Sequence, residues 1–184
     1  MRRLGGAIAA LLLASCGGAG EARLSLPLKA PDGADPLVAD FVEICSDAIG
    51  RGLGAAGEAS KRGWTAGPDA VLMAAQGMAT FEKDDNRTQL QIYEINYPHL
   101  HVRTCMAMRF DGDISADASI IGKVEGLKGS FQTIGPPGEG GSRGLWSFIG
   151  PDGNVVTANV TVVPHRLLQM QMATSKRVAP KAGE

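Results

Sequence analysis

The sequence predicts an α+β domain: an antiparallel sheet of about five to six strands with two main helices packed on one face. Three observations carry this reading. Apolar periodicity changes along the chain from helical to alternating, back to helical, and again to alternating, the order expected when helices segregate to one side of an antiparallel sheet. A chain of 184 residues with 44% hydrophobic side chains is long enough for one buried core and short for two. Its 25 Gly and 10 Pro supply the turns that a sheet built of hairpins needs. The same composition excludes collagen, a coiled coil and a wholly disordered chain. A net charge of -1 gives no general attraction to nucleic acid.

Met1-Arg2-Arg3 is a basic start, Leu4 to Ala14 is apolar, and small residues precede Cys16. That is the plan of a secretory signal, so residues 1–15 read as a signal peptide, too short to remain as a spanning helix of roughly 20 residues. Residues 16–34, rich in Gly, Ala and Pro without a sustained period, read as a flexible tether. The single α+β domain then covers residues 35–175, and residues 176–184 read as a frayed tail.

Within the domain, Asp35-Pro36 is a helix start, with Asp as N-cap and Pro at the first helical position. Leu37, Val38, Phe41, Val42, Ile44, Cys45, Ala48 and Ile49 follow at helical spacing, and Gly50 and Gly52 end the run. Residues 55–61 suggest a further short turn of helix. Residues 68–76 fit helix or strand. Strands are expected from Met78 and over residues 88–95, with Asp84-Asp85-Asn86 as a turn. From His99 to Phe110 the alternation is clean. Leu100, Val102, Met106, Met108 and Phe110 share one face with Thr104, while His99, His101, Arg103, Cys105, Ala107 and Arg109 share the other. Residues 114–128 read as the second helix, after a turn at Asp111-Gly112-Asp113. A Gly/Pro loop over 135–144 precedes three strands at 145–149, 155–163 and 166–174.

Leu13-Ala14-Ser15-Cys16 resembles the lipobox of bacterial lipoproteins. The resemblance implies cleavage before Cys16 and acylation of that residue. Gly17 after it implies sorting to the outer membrane, facing the periplasm. Loss of fifteen residues, two of them arginines, takes 184 residues at -1 to 169 at -3. The body loosely resembles small exported proteins of alphaproteobacteria, on Phe41 to Cys45, Gly63-Trp64, Cys105 and the closing strands. That group carries no assigned activity, so the resemblance transfers no functional residues.

With Cys16 assigned to lipid, Cys45 and Cys105 remain, and in an oxidising compartment a disulfide is the default, against buried thiols or a metal pair. The bond sets up a conflict. The apolar face of the strand at 99–110 should meet the core, yet the disulfide asks Cys105 on the other face to meet the first helix. Either a bulge or a strand covered on both sides would answer it.

Motifs that could carry chemistry fail on context. Gly140-Gly141-Ser142-Arg143-Gly144 has the letters of a nucleophile elbow without the strand-turn-helix around it. Gly52-Leu53-Gly54-Ala55-Ala56-Gly57 has the letters of a dinucleotide loop but follows a helix. Asp111-Gly112-Asp113 lacks the later positions of a calcium loop. His99 and His101 lie two apart on one strand face, as a chelating pair would. Met106/Met108 and Met170/Met172 are soft thioether pairs suited to copper, though Met on an apolar strand face is ordinary filler. No cofactor is implied. The chain reads as non-enzymatic, a membrane-anchored domain binding an envelope protein, a cell-wall fragment or a small ligand, without nucleic acid. An envelope copper- or zinc-handling protein and a small hydrolase with a dispersed site are the alternatives. An exposed apolar patch is expected near Trp64, Trp146 or the 135–144 loop.

Overall fold

The computed structural model describes residues 22–83, 87–110, 118–134 and 140–179. Cys16 and the expected signal peptide, the turn at 84–86, residues 111–117, the loop segment 135–139 and the end of the tail lie outside them. The chain forms one eight-stranded antiparallel sheet and one long helical run. Strand makes up 46% of the described residues. This overturns the expected five to six strands with two main helices.

The strands are β1 (Thr65–Ala66), β2 (Met78–Lys83), β3 (Thr88–Tyr97), β4 (Leu100–Phe110), β5 (Lys128–Ile134), β6 (Gly141–Ile149), β7 (Val155–Val163) and β8 (Leu167–Arg177). Their order across the sheet is β1-β2-β3-β4-β8-β7-β6-β5. Two four-stranded antiparallel runs therefore meet at the β4–β8 pair, whose eleven-residue register runs from Leu100↔Arg177 to Phe110↔Leu167.

Three sequence readings account for the difference. Residues 114–128 were expected as a helix. The described part is a 3-10 segment, Ala118–Lys123, followed by a turn, and Lys128 already begins β5. The helical spacing of Ala118, Ile121 and Val124 is real, and all three are buried, but two glycines cut the segment short. β5 reads Lys-Gly-Ser-Phe-Gln-Thr-Ile and is mostly exposed, as an edge strand is, so it has no strong apolar alternation to announce it. β6 starts four residues early, inside the expected Gly/Pro loop, because Gly144 lies where a Cβ would sit 2.3 Å from the Trp146 ring. The tail is strand as far as Arg177.

The helical run covers residues 36–61. It begins with Asp35, whose carboxylate accepts the Leu37 N–H at 2.8 Å, and with Pro36 at the first position. It passes through a π turn at Phe41–Cys45 and a tightened turn at Gly52–Ala55. Gly52 does end the regular α segment, at φ +59, but the chain turns and continues helically to Lys61. Residues 68–76 contain a short helix, Ala70–Ala74. Residues 22–34, the described part of the expected tether, are docked on the domain. Leu24 N–H bonds to Ile149 O at 2.8 Å, Leu28 N–H to Ser46 Oγ at 2.7 Å, and Ala30 N–H to Glu43 at 3.0 Å.

The core lies between the long helix and one face of the sheet. Leu37, Val38, Phe41, Val42, Ile44 and Ala48 pack against Leu90, Ile92, Leu168, Met170, Met172 and Val160. Cys45 and Cys105, both with no exposed surface, are joined there as a disulfide.

The β4 conflict resolves without a bulge. The side expected to be polar is the side that meets the helix. Cys105 and Ala107 are small and fully buried, which lets the helix approach the sheet centre. Their polar neighbours reach its two ends. Arg109 pairs with the N-cap Asp35 at 3.3 Å, and Arg103 donates to the carbonyls of Ile49 and Gly50 at 3.2 and 2.6 Å. The lengths match. Fifteen helical residues from Asp35 to Gly50 rise about 22 Å, and six strand residues from Arg103 to Arg109 span about 20 Å.

Candidate binding face

The register assigns every strand residue to one of two faces. Helix-facing positions are Leu90 and Ile92 on β3, Cys105 and Ala107 on β4, Leu168, Met170 and Met172 on β8, and Val156, Ala158 and Val160 on β7. The alternate positions form a second face. The segment around the short helix at Ala70–Ala74 lies against it at the β2 edge.

A sheet face left to water ordinarily carries charge. This one does not. Across β3, β4, β8 and β7 it presents twenty-two side chains, of which only Arg177, the last residue of β8, is charged. The centre is a band of amides and hydroxyls: Gln91, Gln169, Gln171, Asn159, Thr104 and Thr161. Met106 and Phe110 sit half-buried among them, and Met108 is buried. Gln169 Nε2 donates to Met106 Sδ at 3.0 Å, and the Tyr93 hydroxyl donates to Gln91 Oε1. Burial raises the Tyr93 phenol above its ordinary pKa, so it remains a neutral donor. Of the large apolar side chains that are well exposed, Ile95, Tyr97, Ile134, Leu145, Val155 and Val163 all lie on this face. Toward β5 the face dips into a shallow depression of about 460 Å³ lined by Ser130, Gln132, Arg143, Leu145, Asn159 and Thr161.

The sequence candidates fall elsewhere. His99 lies in the β3–β4 turn, where its carbonyl accepts the Val178 N–H at 3.1 Å. His101 faces the helix side, its Nε2 2.9 Å from Glu94 Oε1. His165 sits in the turn before β8, at the other end of a strand pair about 30 Å long. The four methionines are split by the sheet, with Met170 and Met172 in the core and Met106 and Met108 on the open face. They cannot converge on one ion. Among the described residues no group of three or more His, Cys, Asp or Glu is placed to hold a metal. Ser142 lies within β6, not on an elbow. Trp64 and Trp146 are core residues rather than parts of an exposed patch. Trp64 donates to Asp40 at 2.8 Å, and Trp146 stacks on Phe131.

Two polar clusters complete the helix side. Asp40, buried, accepts from Trp64 Nε1 and Lys83 Nζ, both at 2.8 Å, and Lys83 lies over the Trp64 ring. Glu94 is pushed up by burial. Bonds from the Leu53 N–H, Arg103 and His101 outweigh that and hold its carboxyl below the ordinary range. Both clusters are internally satisfied, and each ties the helix to the sheet.

Comparison with family models, curated proteins and solved structures finds no match to this chain. The open face was missed in the sequence because its residues are individually unremarkable. The one readable signal was Gln169-Met170-Gln171-Met172, an alternation of apolar residues with amides where a solvated strand would carry charges.

Proposed function

We propose that this chain is an exported lipoprotein, anchored through Cys16 to the outer membrane, whose domain binds a protein partner non-catalytically on the uncharged sheet face. The observation that carries this reading is the near absence of charge on an open face four strands wide at its centre. Its four central strands, about 4.8 Å apart and roughly 33 Å long, offer on the order of 600 Å², and the flanking strands widen the face beyond that. A standard protein interface takes about 800 Å² from each partner. The depression toward β5 is shallow, whereas a small ligand needs concave enclosure. The few cations on the face, Arg177, Arg143 and Lys128, stand at the end of β8 and on the outer strands rather than in a central patch, which argues against a polyanion. Neutral amides, each both donor and acceptor, suit a partner surface that is itself uncharged. No helix among the described residues is long and apolar enough to cross a membrane, and the lipid would supply the attachment.

A photo-crosslinking residue at Gln171 should give a protein adduct in native envelopes, and the same residue at Lys61 on the helix should not. The adduct should disappear when Asn159→Glu is added to the face. Equal adducts from both positions, or an adduct indifferent to Asn159→Glu, would refute the binding face. Mass analysis of the mature N-terminus tests the anchor: Cys16 still preceded by Ser15 would refute it.

A further inference from the structure

One end of the sheet gathers cations and exposed apolar side chains, three of which, Tyr97, Val155 and Arg177, also border the binding face. At this end β3 finishes at Tyr97, β4 begins at Leu100, β8 finishes at Arg177 and β7 begins at Val155. The register sets these residues within two positions of one another. Both ends of the described chain arrive here. Arg23 bridges to Ile149 at the end of β6, and Val178 is held by the His99 carbonyl. Tyr97 is 54%, Val155 55% and Val178 46% exposed. Beside them stand three exposed cations, Arg23, Lys176 and Arg177. The acids at this end are already engaged. Asp152 accepts from Asn154 at 3.1 and 2.6 Å and faces Lys176, and Glu94 is bonded to Arg103 at 3.1 Å.

We infer that this end of the sheet is a membrane-contact surface, seated on anionic lipid headgroups with Arg23, Lys176 and Arg177 at the phosphates and Tyr97, Val155 and Val178 at the interface. The inference rests on the lipoprotein reading, which puts the anchor six residues before Ala22. Six residues reach at most about 21 Å, so an acylated Cys16 keeps this end close to the bilayer. The chemistry of the end is complementary to what it would meet. Cations near an anionic surface are each worth about a fivefold gain in partitioning, and Tyr favours the headgroup level. The binding face would then stand upright on the membrane, with its strands running away from it.

The acylated full-length mature protein is reconstituted in phosphatidylcholine vesicles, with or without one-third phosphatidylglycerol, doped with a photoreactive lipid. Labelled peptides are mapped by mass spectrometry, which also reports whether Cys16 is acylated. With phosphatidylglycerol, label should concentrate at residues 95–99, 153–156 and 175–179. Lys176→Gln with Arg177→Gln should cut that labelling by roughly 25-fold, toward the level in phosphatidylcholine alone. Both residues are exposed, so an unchanged urea midpoint verifies the fold. Acylated protein labelled instead at the opposite end, around Gly63 or residues 164–166, or labelled equally with and without the two cations, would overturn the inference. A Cys16 without acyl chains would overturn the lipoprotein reading beneath it.

Discussion

Breaking the Cys45–Cys105 bond should be the most destabilising single covalent change available to this domain. The bond closes a loop of 60 residues. In the chain-entropy treatment that closure removes about 14 cal/mol/K from the unfolded ensemble, or about 4 kcal/mol at 25 °C. The reduced chain should still fold, because the helix is also held by Arg103, Arg109 and the Asp40 cluster. Both sulfurs are fully buried, so reductant reaches them only when the domain opens. The bond should therefore be reduced in urea and the thiols kept reduced while the chain refolds. Urea unfolding of the two forms gives the comparison. With a slope of about 2 kcal/mol/M, the reduced midpoint should lie about 2 M lower. The slope should also rise, because the reduced unfolded chain exposes more surface. A midpoint difference under about 0.5 M, at unchanged slope, would refute the argument.

Asp40→Ala should cost about 2–4 kcal/mol in urea unfolding, because it strands the Lys83 ammonium and the Trp64 N–H in a largely buried site. Asp40→Asn, which keeps an acceptor, should cost about half as much. Glu94, whose folded pKa is lowered, stabilises the fold above the ordinary carboxylate range, and that contribution is lost as pH falls through its folded value. The stability gap between wild type and Glu94→Gln should therefore shrink from about pH 6 to pH 3, and a constant gap would contradict the bonding described. Gly52→Ala should cost about 1–3 kcal/mol, since the position sits at φ +59 and a Cβ would lie 2.1 Å from the Glu94 carboxylate. An Ala variant as stable as wild type would disprove the strain.

The parts of the fold legible in the sequence are those where local chemistry and tertiary role agree. Asp35-Pro36 starts the helix, and β7 runs over the expected residues 155–163, because its alternation is strong and both flanking turns are marked. The misread parts are places where the tertiary role overrides the local signal. β4 looks inverted because arginines flank Cys105 and Ala107, and their reach to the helix ends depends on where the helix lies. β5 is an edge with one half-buried aromatic, Phe131, so nothing in its composition demands a strand. The counted glycines misled in both directions, since Gly52 ends an α segment without ending the helical run, and Gly144 makes strand possible beneath Trp146.

The candidate face was hidden for a further reason: uncharged polarity is informative only once a face is known to be open. The same central strands carry the helix on one side and the amide band on the other, and Cys105 lies between Thr104 and Met106, which point into that band. The disulfide therefore fixes the helix to the middle of the proposed interface. A surface held on rigid strands loses little conformational freedom when a partner docks, whereas a looser one must be ordered first. Reduction should accordingly weaken crosslinking from Gln171 even at zero urea, where the reduced chain remains folded by circular dichroism. Equal crosslinking by the two forms, at equal fold content, would mean that the sheet holds its shape without the helix bond and that the bond serves stability alone.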